Sequence, residues 1–130
     1  EKIKSEDFVD KDNIYLLGSS IGGVTVATYA VTHTDDIKGI ILQYPAIFLN
    51  EQAYEIGAEY DVNGYKNPVL FLQGDSDKVV PDKYSIELCD YYNSIDKNHC
   101  RMIIYNGKSH VFTGKYKVIA AKDIYEFINS

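Results

Sequence analysis

The residue types and spacings best suited to chemistry centre on Ser20, Asp77 and His110. Ser20 lies in Gly18-Ser19-Ser20-Ile21-Gly22-Gly23, which fits the pattern G-x-S-x-G. On a sharp turn from strand to helix, a serine so placed is lifted clear of the sheet. Small residues two before and two after it let the turn close. The amide of Ile21 then points to where an oxyanion would develop, above the amino end of a helix. Such a hydroxyl is placed to attack an acyl carbon. The plainer alternative is a glycine-rich turn that only joins strand to helix or holds a phosphate.

A serine hydroxyl is a weak nucleophile without a base. The chain has three histidines. His33 follows the first helical segment, and His99 ends the polar run Asp96-Lys97-Asn98-His99; both read as solvated surface residues. His110 lies in Asn106-Gly107-Lys108-Ser109-His110-Val111-Phe112, after an apolar run and before the last helical segment. An imidazole base needs a carboxylate to orient it. Gly74-Asp75-Ser76-Asp77-Lys78-Val79-Val80-Pro81 offers two. Asp77 is taken as the acid and Asp75 as a turn-stabilising residue, although turn chemistry alone accounts for aspartates here.

The elements that must position these groups follow from periodicity. Apolar runs of strand length alternate with segments of helical length. Strands are expected over 14–18, 37–44, 69–72 and 102–105. Helices are expected over 21–31, 81–92 and 116–128, with a short one over 50–56. The 21–31 segment is rich in β-branched residues, which favour strands; its length and the preceding glycine turn favour a helix. In 116–128, Ile119, Ala120, Ile124 and Phe127 form the expected apolar stripe. This order implies the α/β class: a parallel sheet of about four strands, helices on both faces and right-handed crossovers. Chemistry in such sheets sits at the carboxyl ends of the strands. Ser20, Asp77 and His110 each follow a different strand, so the fold gathers what the sequence separates.

Composition narrows the partners. With 130 residues, 45% hydrophobic and 25% charged, the chain reads as one globular domain over 1–130, not a disordered one. Thirteen Lys and Arg face nineteen Asp and Glu, a net charge of −6, which is the wrong sign for a nucleic-acid or anionic-membrane binder. No apolar run approaches the ~20 residues of a membrane span. Metal-ligand clustering is absent from the sequence pattern, as is the Lys-Ser/Thr ending of a phosphate loop, so no metal or organic cofactor is expected. Cys89 and Cys100 do not make a disulfide framework; both are expected reduced, with a single bridge as the alternative. There is no signal-like segment at the start, and a cytoplasmic location is the expectation.

Three segments resemble the α/β-hydrolase superfamily: 14–23, 67–81 and 107–112 are similar to its nucleophile, acid and histidine segments, in the family's order Ser, Asp, His. The resemblance covers nearly all of the chain. It is closest to bacterial esterases of the cinnamoyl/feruloyl esterase and dienelactone-hydrolase-like type. It implies Ser20 as nucleophile, Asp77 as acid, His110 as base and the Ile21 amide as one oxyanion donor. Two positions depart from the common pattern: Ser19 stands where many of these esterases have His, and Ile21 where Gln is frequent. The nucleophile also comes unusually early. The resemblance therefore implies the second half of the family fold, a partial domain lacking the front half and the loop that donates the second oxyanion amide.

The implied activity is serine-dependent hydrolysis of carboxylic esters through an acyl-enzyme, acting on a small-molecule ester. A peptidase or thioesterase with the same triad is the alternative, and a non-catalytic half-domain or scaffold is the other. Tyr44, Ile47, Phe48 and Tyr54 are candidates for one wall of a pocket, with core or surface roles as the plainer alternative. The strand over 14–18 is expected to have a free edge, inviting self-association and leaving this segment alone weakly active.

Overall fold

The computed structural model describes residues 13–47, 62, 64–97 and 99–130. Its elements are β1 (Tyr15–Ser19), α1 (Ile21–Val31), β2 (Gly39–Gln43), β3 (Val69–Gly74), α2 (Asp82–Ile95), β4 (Cys100–Tyr105) and α3 (Lys115–Ile128). The four strands are parallel and lie in the order β1-β2-β3-β4. Leu17, Ile41, Leu70 and Arg101 stand side by side across the sheet.

Side chains alternate along a strand, so each strand feeds both faces. Ile40 and Leu42 of β2, with Val69 and Phe71 of β3, pack against Ala27 and Ala30 of α1 and Leu88 and Tyr92 of α2. Ile41, Leu70 and Leu72 point the other way, toward Ala120 and Phe127 of α3. Among the described residues, two helices thus cover one face and one covers the other, the expected α/β layering. Both central strands are buried throughout, apart from half-buried Gln43 at the end of β2, which is why they read as unbroken apolar runs.

α1 forms over the expected residues despite its β-branched content. Thr28 Oγ1 donates to the Val24 carbonyl at 2.8 Å, satisfying the hydroxyl inside the helix. Fully buried Ala27 and Ala30 let the helix approach the sheet closely. α2 runs on to Ile95, beyond the expected end at 92, and Pro81 precedes its first turn. β4 starts two residues early, at Cys100, because Asn93 on α2 pairs with the Cys100 backbone through both its amide groups, at 2.8 and 3.2 Å. The Tyr105 hydroxyl donates to Asp123 Oδ2 at 2.6 Å and ties α3 to the sheet. The short helix expected over 50–56 lies outside the described residues.

Three expectations are corrected. Cys89 and Cys100 form a disulfide between α2 and the start of β4, their Cα atoms 5.6 Å apart. Their spacing in the chain carries no sign of this; the packing of α2 on β4 creates it. His99 is not a surface residue: it is 6% exposed, its ring 5.4 Å from Tyr92 and 6.1 Å from Tyr65. Its carbonyl accepts from Val69 N–H at 2.9 Å, so the residue already belongs to the sheet edge. His33 is half-buried and stacks on Tyr29 at 3.7 Å. On α3, Ile119 is 40% exposed, while Ala120 and Phe127 are buried and Tyr116 and Ile124 pack beside them. The stripe is therefore 116-120-124-127, and Ile119 lies about 100° away from it around the helix.

Candidate active site

The turn between β1 and α1 places Ser20 at φ 53° and ψ −120°, a region that side-chain-bearing residues rarely enter. Backbone hydrogen bonds hold it there. Ser20 N–H donates to the Gln43 carbonyl at 3.0 Å, and the Ser20 carbonyl accepts from Gly23 N–H at 3.0 Å and Ala46 N–H at 2.9 Å. Missing side chains hold it too. A Cβ on Gly18 would run into the Gly22 carbonyl and lie 2.8 Å from Val26 Cγ2. A Cβ on Gly23 would lie 2.6 Å from Pro45 Cβ. A Cβ on Gly22 would meet nothing within 4 Å, so the second small position this turn needs is 23 and not 22. Ile21 opens α1, where the first amides have no acceptor in their own helix. Its side chain is 72% exposed.

Asp77 follows β3 and is buried at 5% exposure. Its Oδ1 accepts from the amides of Val79 and Val80, each at 2.8 Å. Its Oδ2 accepts from His110 Nδ1 at 2.6 Å and from Gln73 Nε2 at 3.2 Å. Burial pushes this carboxyl up, but the hydrogen bonds from His110, Val80 and Val79 outweigh it and hold the group below its ordinary range. An ionised carboxylate only accepts, so the His110 proton sits on Nδ1. Nε2 is then the acceptor, and Ser20 Oγ lies 3.1 Å from it. The three side chains form one line from hydroxyl through imidazole to carboxylate.

The loop carrying His110 is fastened to the loop carrying Asp77. Asp75 Oδ1 accepts from Gly107 N–H at 2.7 Å, and Ser76 N–H donates to the Lys108 carbonyl at 3.0 Å. Gly74 lies so close to that carbonyl that a Cβ there would collide with it. Tyr44, at φ 35°, sets its ring edge-on to His110 at 4.7 Å and to Phe112 at 4.8 Å. Ile47 is core, at 1% exposure; Phe48 and Tyr54 lie outside the described residues. A cavity of about 410 Å³ opens between the end of β2 and α3, lined by Gln43, Tyr44, Phe112, Lys117, Ala120 and Ile124 among others. None of Ser20, Asp77 and His110 lines it.

Sequence reasoning missed Gln73 and Tyr44's ring contact with His110. Gln73 is fully buried and takes the Ser85 hydroxyl on its Oε1 at 2.9 Å. In the sequence it follows the expected strand 69–72 and reads as the first polar residue of a loop; the structure makes it the one polar side chain of β3. Among the described residues, no group of three or more His, Cys, Asp and Glu could hold a metal ion, and no helix is long and apolar enough to cross a membrane.

Comparison with known proteins adds family and fold. A family model described as the prolyl oligopeptidase family matches residues 46–130. The structure is similar to Est1E from Butyrivibrio proteoclasticus at a TM-score of 0.74 and 25% identity, covering 96% of this chain and 64% of that one. It is similar to a protein assigned as a dipeptidyl aminopeptidase IV from Bacteroides ovatus (TM-score 0.76, 16% identity), covering 98% of this chain and 20% of that one. It is also similar to a monoacylglycerol lipase from Paleococcus ferrophilus (TM-score 0.69, 16% identity), covering 88% of this chain and 67% of that one. The chain thus spans less than two-thirds of the Est1E length. No curated protein matches it in sequence.

Proposed function

Because the chain belongs to the prolyl oligopeptidase family and carries part of an α/β-hydrolase fold, we propose that it supplies the catalytic triad of a serine hydrolase acting on carboxylic esters. The observation that carries this is His110 bridging Ser20 and Asp77, with contacts of 3.1 and 2.6 Å. Ser20 Oγ attacks the acyl carbon as His110 Nε2 takes its proton. The Ile21 amide, at the positive end of α1, donates to the oxyanion. His110 returns the proton to the leaving alcohol, and the acyl group stays on Ser20. Water, deprotonated by His110, then releases the acid by the same route. Asp77 stays ionised, fixes the imidazole tautomer and stabilises the imidazolium.

A second reading has its own support. The family match names an oligopeptidase, so an amide in place of the ester is the alternative substrate. A protonated amine then leaves instead of an alcohol, and the same three residues do the work. A fluorophosphonate probe tests the triad directly, since it traps an activated serine whatever the leaving group. Labelling of the wild type and none of Ser20→Ala is expected. Equal labelling of both would remove Ser20 from the mechanism. A panel of p-nitrophenyl esters against aminoacyl p-nitroanilides then separates esterase from peptidase.

A further inference from the structure

We propose that Gln73 is a positioning residue for the triad, fixing the rotation of the Asp77 carboxylate, and that the Ser85 hydroxyl holds the Gln73 amide in place. The inference rests on the triad reading above.

The Gln73 side chain is wholly buried at the end of an otherwise apolar strand, where an amide costs free energy unless its groups are paired. They are paired in one sense only. Nε2 faces three acceptors: Asp77 Oδ2 at 3.2 Å, the Gly74 carbonyl at 3.1 Å and the Val80 carbonyl at 3.3 Å. Oε1 faces a donor, the Ser85 hydroxyl, at 2.9 Å. Flipping the amide would set Oε1 against a carboxylate and two carbonyls with no donor among them. The three acceptors fix the sense of the amide, and Ser85, itself 1% exposed, reaches in from α2 to hold its other end.

The oxygen that Gln73 holds is the one that accepts the hydrogen bond from His110 Nδ1–H. With Oδ1 pinned by the Val79 and Val80 amides, Oδ2 has two donors, Gln73 from the sheet and His110 from the loop. Without Gln73, Oδ2 has only the imidazole to hold it. The carboxylate then rotates more freely, and the imidazole is less firmly aimed at Ser20. Hydrogen bonds to charged groups are the strong ones, so the loss should be visible in turnover.

The test compares Gln73→Met, Ser85→Ala and Ser85→Thr in the intact protein. Met keeps length and burial but offers no donor. Gln73→Met should lower kcat on p-nitrophenyl acetate about tenfold with KM unchanged. Ser85→Ala should lower it a few-fold, and Ser85→Thr, which keeps the hydroxyl, should restore it. The low-field proton resonance of His110 Nδ1–H should also shift in Gln73→Met, because its acceptor has lost a competing donor. A purely structural glutamine would lower stability and leave that resonance and kcat where they were. If Gln73→Met does not fold, the Ser85 pair decides: equal kcat in Ser85→Ala and wild type overturns the proposal. Activity surviving Ser20→Ala overturns the triad reading itself. Activity lost in Ser20→Ala but within twofold of wild type in folded Gln73→Met overturns only the role of Gln73.

Discussion

Ser20 and Asp77 stand in the same line of contacts but are held by opposite means. Around Ser20 the work is done by backbone and by absence of volume: three main-chain hydrogen bonds, a positive φ, and two glycines whose side chains there is no room for. Around Asp77 it is done by polar partners: two amides, an imidazole and a buried glutamine converge on one carboxylate. A nucleophile must be lifted out and left uncovered, so packing from below positions it. A carboxylate must be buried and kept charged, so it needs donors on every side. The first region should therefore be sensitive to added bulk, and the second to a lost hydrogen bond.

The largest break in this comparison is expected at Ser20, the proposed nucleophile. Ser20→Ala should lower kcat for ester hydrolysis by on the order of 10⁶ while the fold is kept, since Ala adds no volume. Near wild-type turnover of a p-nitrophenyl ester by this variant would contradict it. On the acid side, Asp77→Asn should cost about 10⁴ in kcat, because the amide offers His110 a donor where it needs an acceptor. Asp75→Asn should cost far less, since Asp75 touches the Gly107 amide and not the imidazole. The reverse ranking in paired kinetics would move the acid to Asp75.

Stability sharpens the contrast further. Gly23→Ala pushes a methyl into Pro45 and should cost roughly 1–3 kcal/mol in chemical denaturation. Gly22→Ala, one residue earlier on the same helix, meets open space and should be neutral or stabilising by up to about 1 kcal/mol. Equal losses would mean that the turn tolerates no added volume anywhere.

The smallest effect is in pH. Asp77 is depressed below its ordinary 3.8, so its contribution to stability is present above about that pH and disappears as pH falls through its still lower folded value. His99 works over a different window. Burial lowers it from its ordinary 6.5, against the weaker pull of Asp96, with the Tyr65 and Tyr92 rings packed on it. The unfolded chain takes up that proton first, so stability falls as pH drops below about 6.5. Denaturation midpoints against pH should flatten between pH 7 and 5 in His99→Phe, and below pH 4 in Asp77→Asn. An unchanged slope in His99→Phe would show that its burial has no cost in acid.

What the sequence made legible is what depends on short range. Apolar runs and their spacing marked the four strands and the three long helices, because a strand buried on both faces has few alternatives to Val, Ile, Leu and Phe. The residues placed at strand ends stand together in the structure for the same reason: one topology takes all three loops to one edge of the sheet. What could not be read depends on partners far along the chain. His99 looks solvated until Tyr65 and Tyr92 are brought over it, and Cys89 meets Cys100 only once α2 lies on β4. Gln73 reads as the first polar residue of a loop, although it is the last buried residue type one would place in a strand core. The difference between 22 and 23 as the tight glycine turns on Pro45, which belongs to the next strand's exit.

The strand order β1-β2-β3-β4 also sets a timetable. Each new strand can add to an edge already laid down, so the sheet can grow in step with synthesis from one side to the other. Ser20 precedes His110 in the chain, and the contact between them spans 90 positions. At the usual pace of translation that separation is on the order of ten seconds. The partners that hold the Ser20 turn, Gln43 and Ala46, follow it closely in the chain, so the turn can form while His110 is still to come. On the proposed reading, the Ser20 hydroxyl therefore gains its base only after β4 has joined the sheet and the loop beyond it has closed.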